Sequence, residues 1–185
     1  MKRSLLLSLL LVVFSGAFAQ VGCNGYRYFY EIFSDVTVTA DVPYGANVRY
    51  NGDSVDLKMD IYEPMGDTVS RRPLIVLAHG GSFVSGDKNN PSMVALGNAF
   101  ARRGYVVASM QYRLGVNALQ ADSTELIRAV IRSVQDAKSA VRFFRKDATE
   151  NGNSFRVDTS TIFIGGSSAG AVMAVHYTFI DDTLE

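Results

Sequence analysis

The chain has 185 residues, is 48% hydrophobic, and carries 18 basic and 18 acidic residues for a formal net charge of zero. That length and apolar content suit one globular domain with a core of its own. Balanced charge offers no basic face for nucleic acid or an anionic membrane surface, so both are excluded as expected partners.

Residues 1–19 read as a secretory signal peptide. Lys2 and Arg3 form the charged start, 5–14 the apolar run, and Ala17-Phe18-Ala19 the small-x-small cleavage site. The run is short for a membrane-spanning helix. Export is therefore expected, to the periplasm, the cell surface or the medium, with Gln20 as the mature start. Cys23 is the single cysteine. It reads as half of a disulfide or a free thiol. A lipidated N-terminal cysteine is a third reading, poorly served by Gln20 and Val21 before it. The aromatics Tyr26, Tyr28, Phe29, Tyr30 and Phe33 are expected to cover an edge of the core, with a substrate groove as the alternative.

A strand is expected over 36–39 and a turn over 41–47, around Pro43 and Gly45. Residues 48–50, the Asn51-Gly52 turn and 55–62 read as a hairpin. The second strand alternates Leu57, Met59 and Ile61 with Asp56, Lys58 and Asp60. A polar loop follows over 63–72. The run LIVLA at 74–78 is apolar without alternation and reads as a central strand buried on both faces. It leads into His79-Gly80-Gly81-Ser82-Phe83. Asn90 and Pro91 suit the cap and first position of a helix, which should reach Arg103 and stop at Gly104.

Residues 105–110 read as the next buried strand, left by Gln111-Tyr112-Arg113-Leu114-Gly115. A long helix is expected from a cap at Asp122 or Ser123 to near Lys146. Its core stripe would be Ile127, Val130, Val134, Ala137, Val141 and Phe144. After a polar loop, 161–164 reads as a short buried strand, then Gly165-Gly166-Ser167-Ser168-Ala169-Gly170 and a helix. The order predicts a largely parallel sheet behind an antiparallel opening, with helices on both faces. Active sites in such sheets lie at the carboxyl ends of strands, where both glycine-rich turns fall.

Gly166-Ser167-Ser168-Ala169-Gly170 has the G-x-S-x-G pattern between strand and helix. Such a turn holds its serine in strained backbone and lifts the hydroxyl above the sheet. The glycine spacing selects Ser168 over Ser167. Acyl transfer also needs donors aimed at the developing oxyanion. The N–H of Ala169 supplies one, and the loop carrying Gly80 and Gly81 is expected to supply another, glycine there admitting close backbone approach.

The segments MDIYEP, AHGGSF, YRLG, DAKSAVRF and GGSSAG together resemble the α/β-hydrolase family, in its secreted carboxylesterase and lipase branch. HGGSF with YRLG is similar to type-B carboxylesterases. DIYEP and DAKSAV are similar to hormone-sensitive-lipase-like esterases and relatives acting on plant-polysaccharide esters. The resemblance implies an α/β-hydrolase fold over 20–185 with Ser168 as nucleophile and Gly80, Gly81 and Ala169 as oxyanion hole. It implies no metal or cofactor, and a small-molecule or carbohydrate ester as substrate.

The family order places an acid and then a histidine after the serine. Here Asp181, Asp182 and Glu185 follow the last helix, and His176 lies eight residues past Ser168, about 12 Å along a helix axis. His176 is thus expected to be a packing or surface residue and His79 to hold the oxyanion loop. Asp136 is expected to make a structural ion pair, and Asp87 and Asp158 to serve turns. Two explanations fit: a domain cut after the nucleophile helix, with the acid and histidine expected beyond Glu185, or a short protein that has lost catalysis; the first is the expectation here. The strand at 161–164 would then be an unpaired apolar edge, and this segment alone would fold poorly and lack activity. A non-catalytic binding module and a peptidase on the same scaffold are the alternative functions.

Overall fold

A computed structural model describes residues 25–116 and 122–179. The expected signal peptide, Cys23 and the acidic residues after position 180 lie outside the described residues. Among the described residues the strands are β1 (Val36–Val48), β2 (Ser54–Pro64), β3 (Arg72–Ala78), β4 (Val106–Met110) and β5 (Val157–Gly166). The helices are α1 (Pro91–Ala101), α2 (Ser123–Glu150) and α3 (Ala169–Phe179). The strands form one sheet in the order β1-β2-β4-β3-β5. β1/β2 and β2/β4 are antiparallel, while β3 runs parallel to both β4 and β5.

The alternation of β3 divides the core. Leu74, Val76 and Ala78 join α2 and α3 on one face. Ile75 and Leu77 join Met93 and Ala101 of α1 on the other. Helices therefore cover both faces, as the strand–helix alternation requires. The start of α1 is as expected, with the Asn90 side chain accepting from Ser92 N–H and Pro91 in the first turn. Asp122 caps α2 through Glu125 N–H. Of the α2 stripe, Val130, Val134, Ala137, Val141 and Phe144 are buried, but Ile127 is 60% exposed. Ile127 sits in the second turn of α2, and the core cluster takes up that helix only from Ala129 onward.

Two other expectations change. Residues 41–47 are not a turn, because β1 continues through them to Val48. Its register slips between Thr39 and Val42 and again between Pro43 and Gly45, while Asp41 takes φ +56°. β1 is an edge strand, so Pro43 can leave the ladder without breaking an inner pair, and bulges absorb the extra residues. β5 is longer than the apolar run and stands at the other edge. Its Phe163 is 52% exposed rather than buried, since β3 covers just one flank of the strand.

The aromatic N-terminal segment lies beside the end of α1. Tyr28 and Ile32 N–H groups donate to Arg103 and Arg102 carbonyls, and the Tyr28 ring meets Tyr105. Tyr26, Phe29 and Tyr30 remain exposed. Arg27 pairs with Asp67, and the fully buried Arg72 pairs with Glu63. These charges cluster at the amino end of β3, away from the glycine turns.

Candidate active site

β3 lies between β4 and β5, so the chain leaves three parallel neighbours at one end of the sheet. The turn after β5 is the sharper. Ser168 has φ +51° and is exposed, whereas Ser167 is not left-handed. Left-handed backbone is costly for a residue with a Cβ, and surrounding contacts enforce it here. A Cβ on Gly166 would lie 2.4 Å from Ala78 O, and one on Gly170 only 2.1 Å from the same oxygen. Ser167 N–H donates to Ala78 O at 3.1 Å, and Gly170 N–H returns to Ser167 O at 2.9 Å. β3, β5 and α3 thus meet main chain to main chain, and glycine alone fits at both flanking positions.

The loop after β3 comes to the same place. A Cβ on Gly80 would touch Ser168 Cβ and Ser167 O, both at 3.2 Å. Gly81 has φ +123°, and a Cβ there would lie 2.0 Å from Ser85 O. Val84 and Ser85 N–H groups donate to Gly81 O, folding the loop on itself. Ala169 is the first residue of α3 and is buried. Its N–H therefore belongs to the positive end of the helix. Of the expected site residues, Gly80 thus lies against Ser168, Ala169 follows it at the start of α3, and Gly81 is the next residue of the facing loop.

His79 is fully buried. Its Nδ1–H donates to Gly80 O at 2.7 Å, and Nε2 is buried on the side of Gln111. The ring stacks on Tyr112 at 4.4 Å, and the Tyr112 hydroxyl donates to His79 O at 2.9 Å. Burial lowers the His79 pKa, with the Gly80 carbonyl, the Asp87 charge and the Gln111 side chain opposing it in part. A neutral, enclosed imidazole suits a loop brace. His176 lies on the exposed side of α3, where Nδ1–H donates to Val172 O. Neither histidine meets the Ser168 hydroxyl.

Asp136 is fully buried and takes the Arg113 guanidinium and N–H at 2.8 Å each. Burial raises its pKa against the pull of Arg113. It is a structural pair, tying the segment after β4 to α2. Asp87 accepts from Asn89 N–H in a local turn, as expected. Asp158 is instead within β5, at the register break opposite Arg72 and Leu74, where it accepts from Ser160 N–H and pairs with Arg71. Among the described residues, no group of histidine, cysteine and carboxylate side chains is arranged to hold a metal. Sequence reasoning missed Tyr112 as a support of the loop after β3, through the His79 ring and carbonyl. Its place directly after a buried strand, next to the strand feeding His79, was the available signal.

The BD-FAE family model, an α/β-hydrolase-type esterase domain, matches residues 59–184. The chain belongs to the BD-FAE family. Among solved structures it is similar to a thermophilic esterase from the Planctomycetes species Thermogutta terrifontis with propionate bound. The two share 33% identity over 76% of this chain and 47% of that one, with a TM-score of 0.55. Thermogutta terrifontis esterase 2 phosphorylated by paraoxon matches at 31% identity over 81% of this chain and 49% of that one, with a TM-score of 0.53. The fold is that of the α/β-hydrolases, and the BD-FAE chain spans about half the length of these esterases.

Proposed function

We propose that this BD-FAE chain carries the nucleophilic half of a serine carboxylic-ester hydrolase acting on small or carbohydrate-linked acyl esters. Ser168 Oγ attacks the ester carbonyl carbon, and the Oγ–C bond forms while negative charge collects on the carbonyl oxygen. The N–H groups of Gly80, Gly81 and Ala169 receive that charge. Collapse breaks the carbon–alkoxy bond, and the alcohol leaves carrying the proton that the Ser168 hydroxyl gave up. Water then attacks the acyl carbon, the Oγ–C bond breaks, a proton from the water returns to Oγ, and the acid leaves.

One observation carries the reading. The exposed, left-handed Ser168 has its Cβ against the backbone of Gly80, so nucleophile and donor loop share one point in space. Support comes also from the Thermogutta terrifontis esterase phosphorylated by paraoxon, since such a product requires a group nucleophilic toward phosphorus. Neither His79 nor His176 supplies the base that the serine needs. Among the described residues no helix is long and apolar enough to cross a membrane. The signal-like start supports an exported protein, and N-terminal sequencing of the mature form should find Gln20.

The test uses the full-length gene product. A fluorophosphonate probe should label Ser168, Ser167→Ala should retain labelling, and Ser168→Ala should abolish it and lower turnover by about 10⁴-fold or more. Labelling at Ser167, or none, would overturn the assignment.

A further inference from the structure

Asp60 belongs to the polar side of β2, yet it is 2% exposed. It stands opposite Ser109 in the β2/β4 ladder, on the sheet face that Val107 shares with α1. What covers this polar patch is the outgoing limb of the oxyanion loop. Lys88, 8% exposed, sends its Nζ to Asp60 Oδ1 at 2.7 Å and to Asp41 at 3.1 Å. The Lys88 main chain is held as well, its N–H donating to Gln111 Oε1 and its carbonyl accepting from Ser109 Oγ at 2.7 Å. Asp60 also takes the N–H of Asp41 at the β1 bulge. Burial by itself would depress the ammonium, but Asp60 and Asp41 outweigh it and hold the Lys88 pKa above the ordinary lysine value.

The clamp reaches the site by a short mechanical path. Two residues before Lys88, Gly86 lies so close to the start of the loop that a Cβ would sit 2.5 Å from Gly80 O and 2.6 Å from His79 Nδ1. The loop is therefore a closed ring, with Gly80 at one limb and Gly86 at the other. Any shift of Lys88 passes through Gly86 to the Gly80 backbone. A buried ion pair is a weak source of stability, since apolar pairs of similar size often serve as well. Placement of a donor, in contrast, is sensitive, and a misplacement of about 1 Å can cost about 10²-fold in rate.

We propose that Lys88, held by Asp60, is a positioning residue that sets the Gly80 and Gly81 donors against Ser168. This rests on the serine-hydrolase reading above. The test compares wild type, Lys88→Met, Lys88→Arg and the double variant Asp60→Leu/Lys88→Met in the full-length protein. Each is measured for kcat and KM on a short-chain p-nitrophenyl ester, for sites titrated by fluorophosphonate, and for Tm.

Lys88→Met should lower kcat per titrated site by about 30- to 100-fold with KM changed less than about threefold, and Lys88→Arg should keep most of the rate. The double variant should recover Tm without recovering kcat, and it decides the matter if Lys88→Met does not fold. Unchanged kcat per titrated site in Lys88→Met, or kcat returning together with Tm in the double variant, overturns the proposal and leaves the hydrolase reading intact. Wild type that is neither labelled nor active overturns both.

Discussion

The two glycine-rich turns leave neighbouring parallel strands and meet at Ser168, yet they are fixed by different means. The elbow after β5 is held by exclusion. Gly166 and Gly170 lie against Ala78 O with no room for a methyl group. The loop after β3 has tight glycines of its own at Gly81 and Gly86, but it is held in addition by polar staples: His79 on Gly80 O, Tyr112 on His79 O, and Lys88 on Asp60. Exclusion gives a stiff turn that tolerates no substitution. Staples give a longer loop whose position can be altered in steps.

The largest effect should come from the elbow. Gly170→Ala places a methyl 2.1 Å from Ala78 O, and neither backbone can yield without parting α3 from β3. Loss of about 3 kcal/mol or more is expected in urea unfolding of the full-length protein. A fully stable variant would show that the turn is looser than the contacts imply. Next is Gly81→Ala, which forces a Cβ at φ +123° and 2.0 Å from Ser85 O. Strain of about 1–3 kcal/mol is expected, with turnover down about 10²- to 10³-fold if its N–H receives the oxyanion.

Tyr112→Phe tests a staple. It keeps the ring on His79 but leaves the His79 carbonyl without its hydroxyl donor, at a cost of about 1–2 kcal/mol. Burial pushes the Tyr112 pKa up to about 12, so the phenol donates at any working pH. Loss as large as that of Gly170→Ala would erase the distinction between the two turns.

The smallest effect is the pH response of His79. Its pKa is lowered in the folded state by burial. Below about pH 6.5 the unfolded chain binds the imidazole proton more readily than the folded one. Stability from this residue is present above that pH and is lost as pH falls toward the folded pKa. Tm measured from pH 7.5 to 5 should decline more steeply in wild type than in His79→Gln. Equal slopes would mean that the histidine is not enclosed as described.

Much of this was open to reading along the chain. LIVLA is buried without alternation because strands lie on both its edges and helices on both its faces. The caps at Asn90 and Asp122 hold because a side-chain oxygen and the N–H groups two or three residues on are close in any helix start. The G-x-S-x-G spacing led to Ser168 because the crowding it answers is local to one turn. The misses were long-range. Pro43 and Gly45 carry turn chemistry, but pairing with β2 kept β1 extended. Phe163 looked buried because its neighbours are apolar, though burial depends on what lies beside the strand. Asp60 looked like a solvent-facing residue until Lys88 closed over it.

By itself the sequence determined the kinds and order of the elements and the two places where glycine is indispensable, since these depend on residues a few positions apart. The tertiary structure alone decided that β3 stands between β4 and β5, that Gly80 abuts Ser168, and that a polar strand face became a buried clamp. Those outcomes depend on which distant segments share a neighbour, and no local preference encodes that.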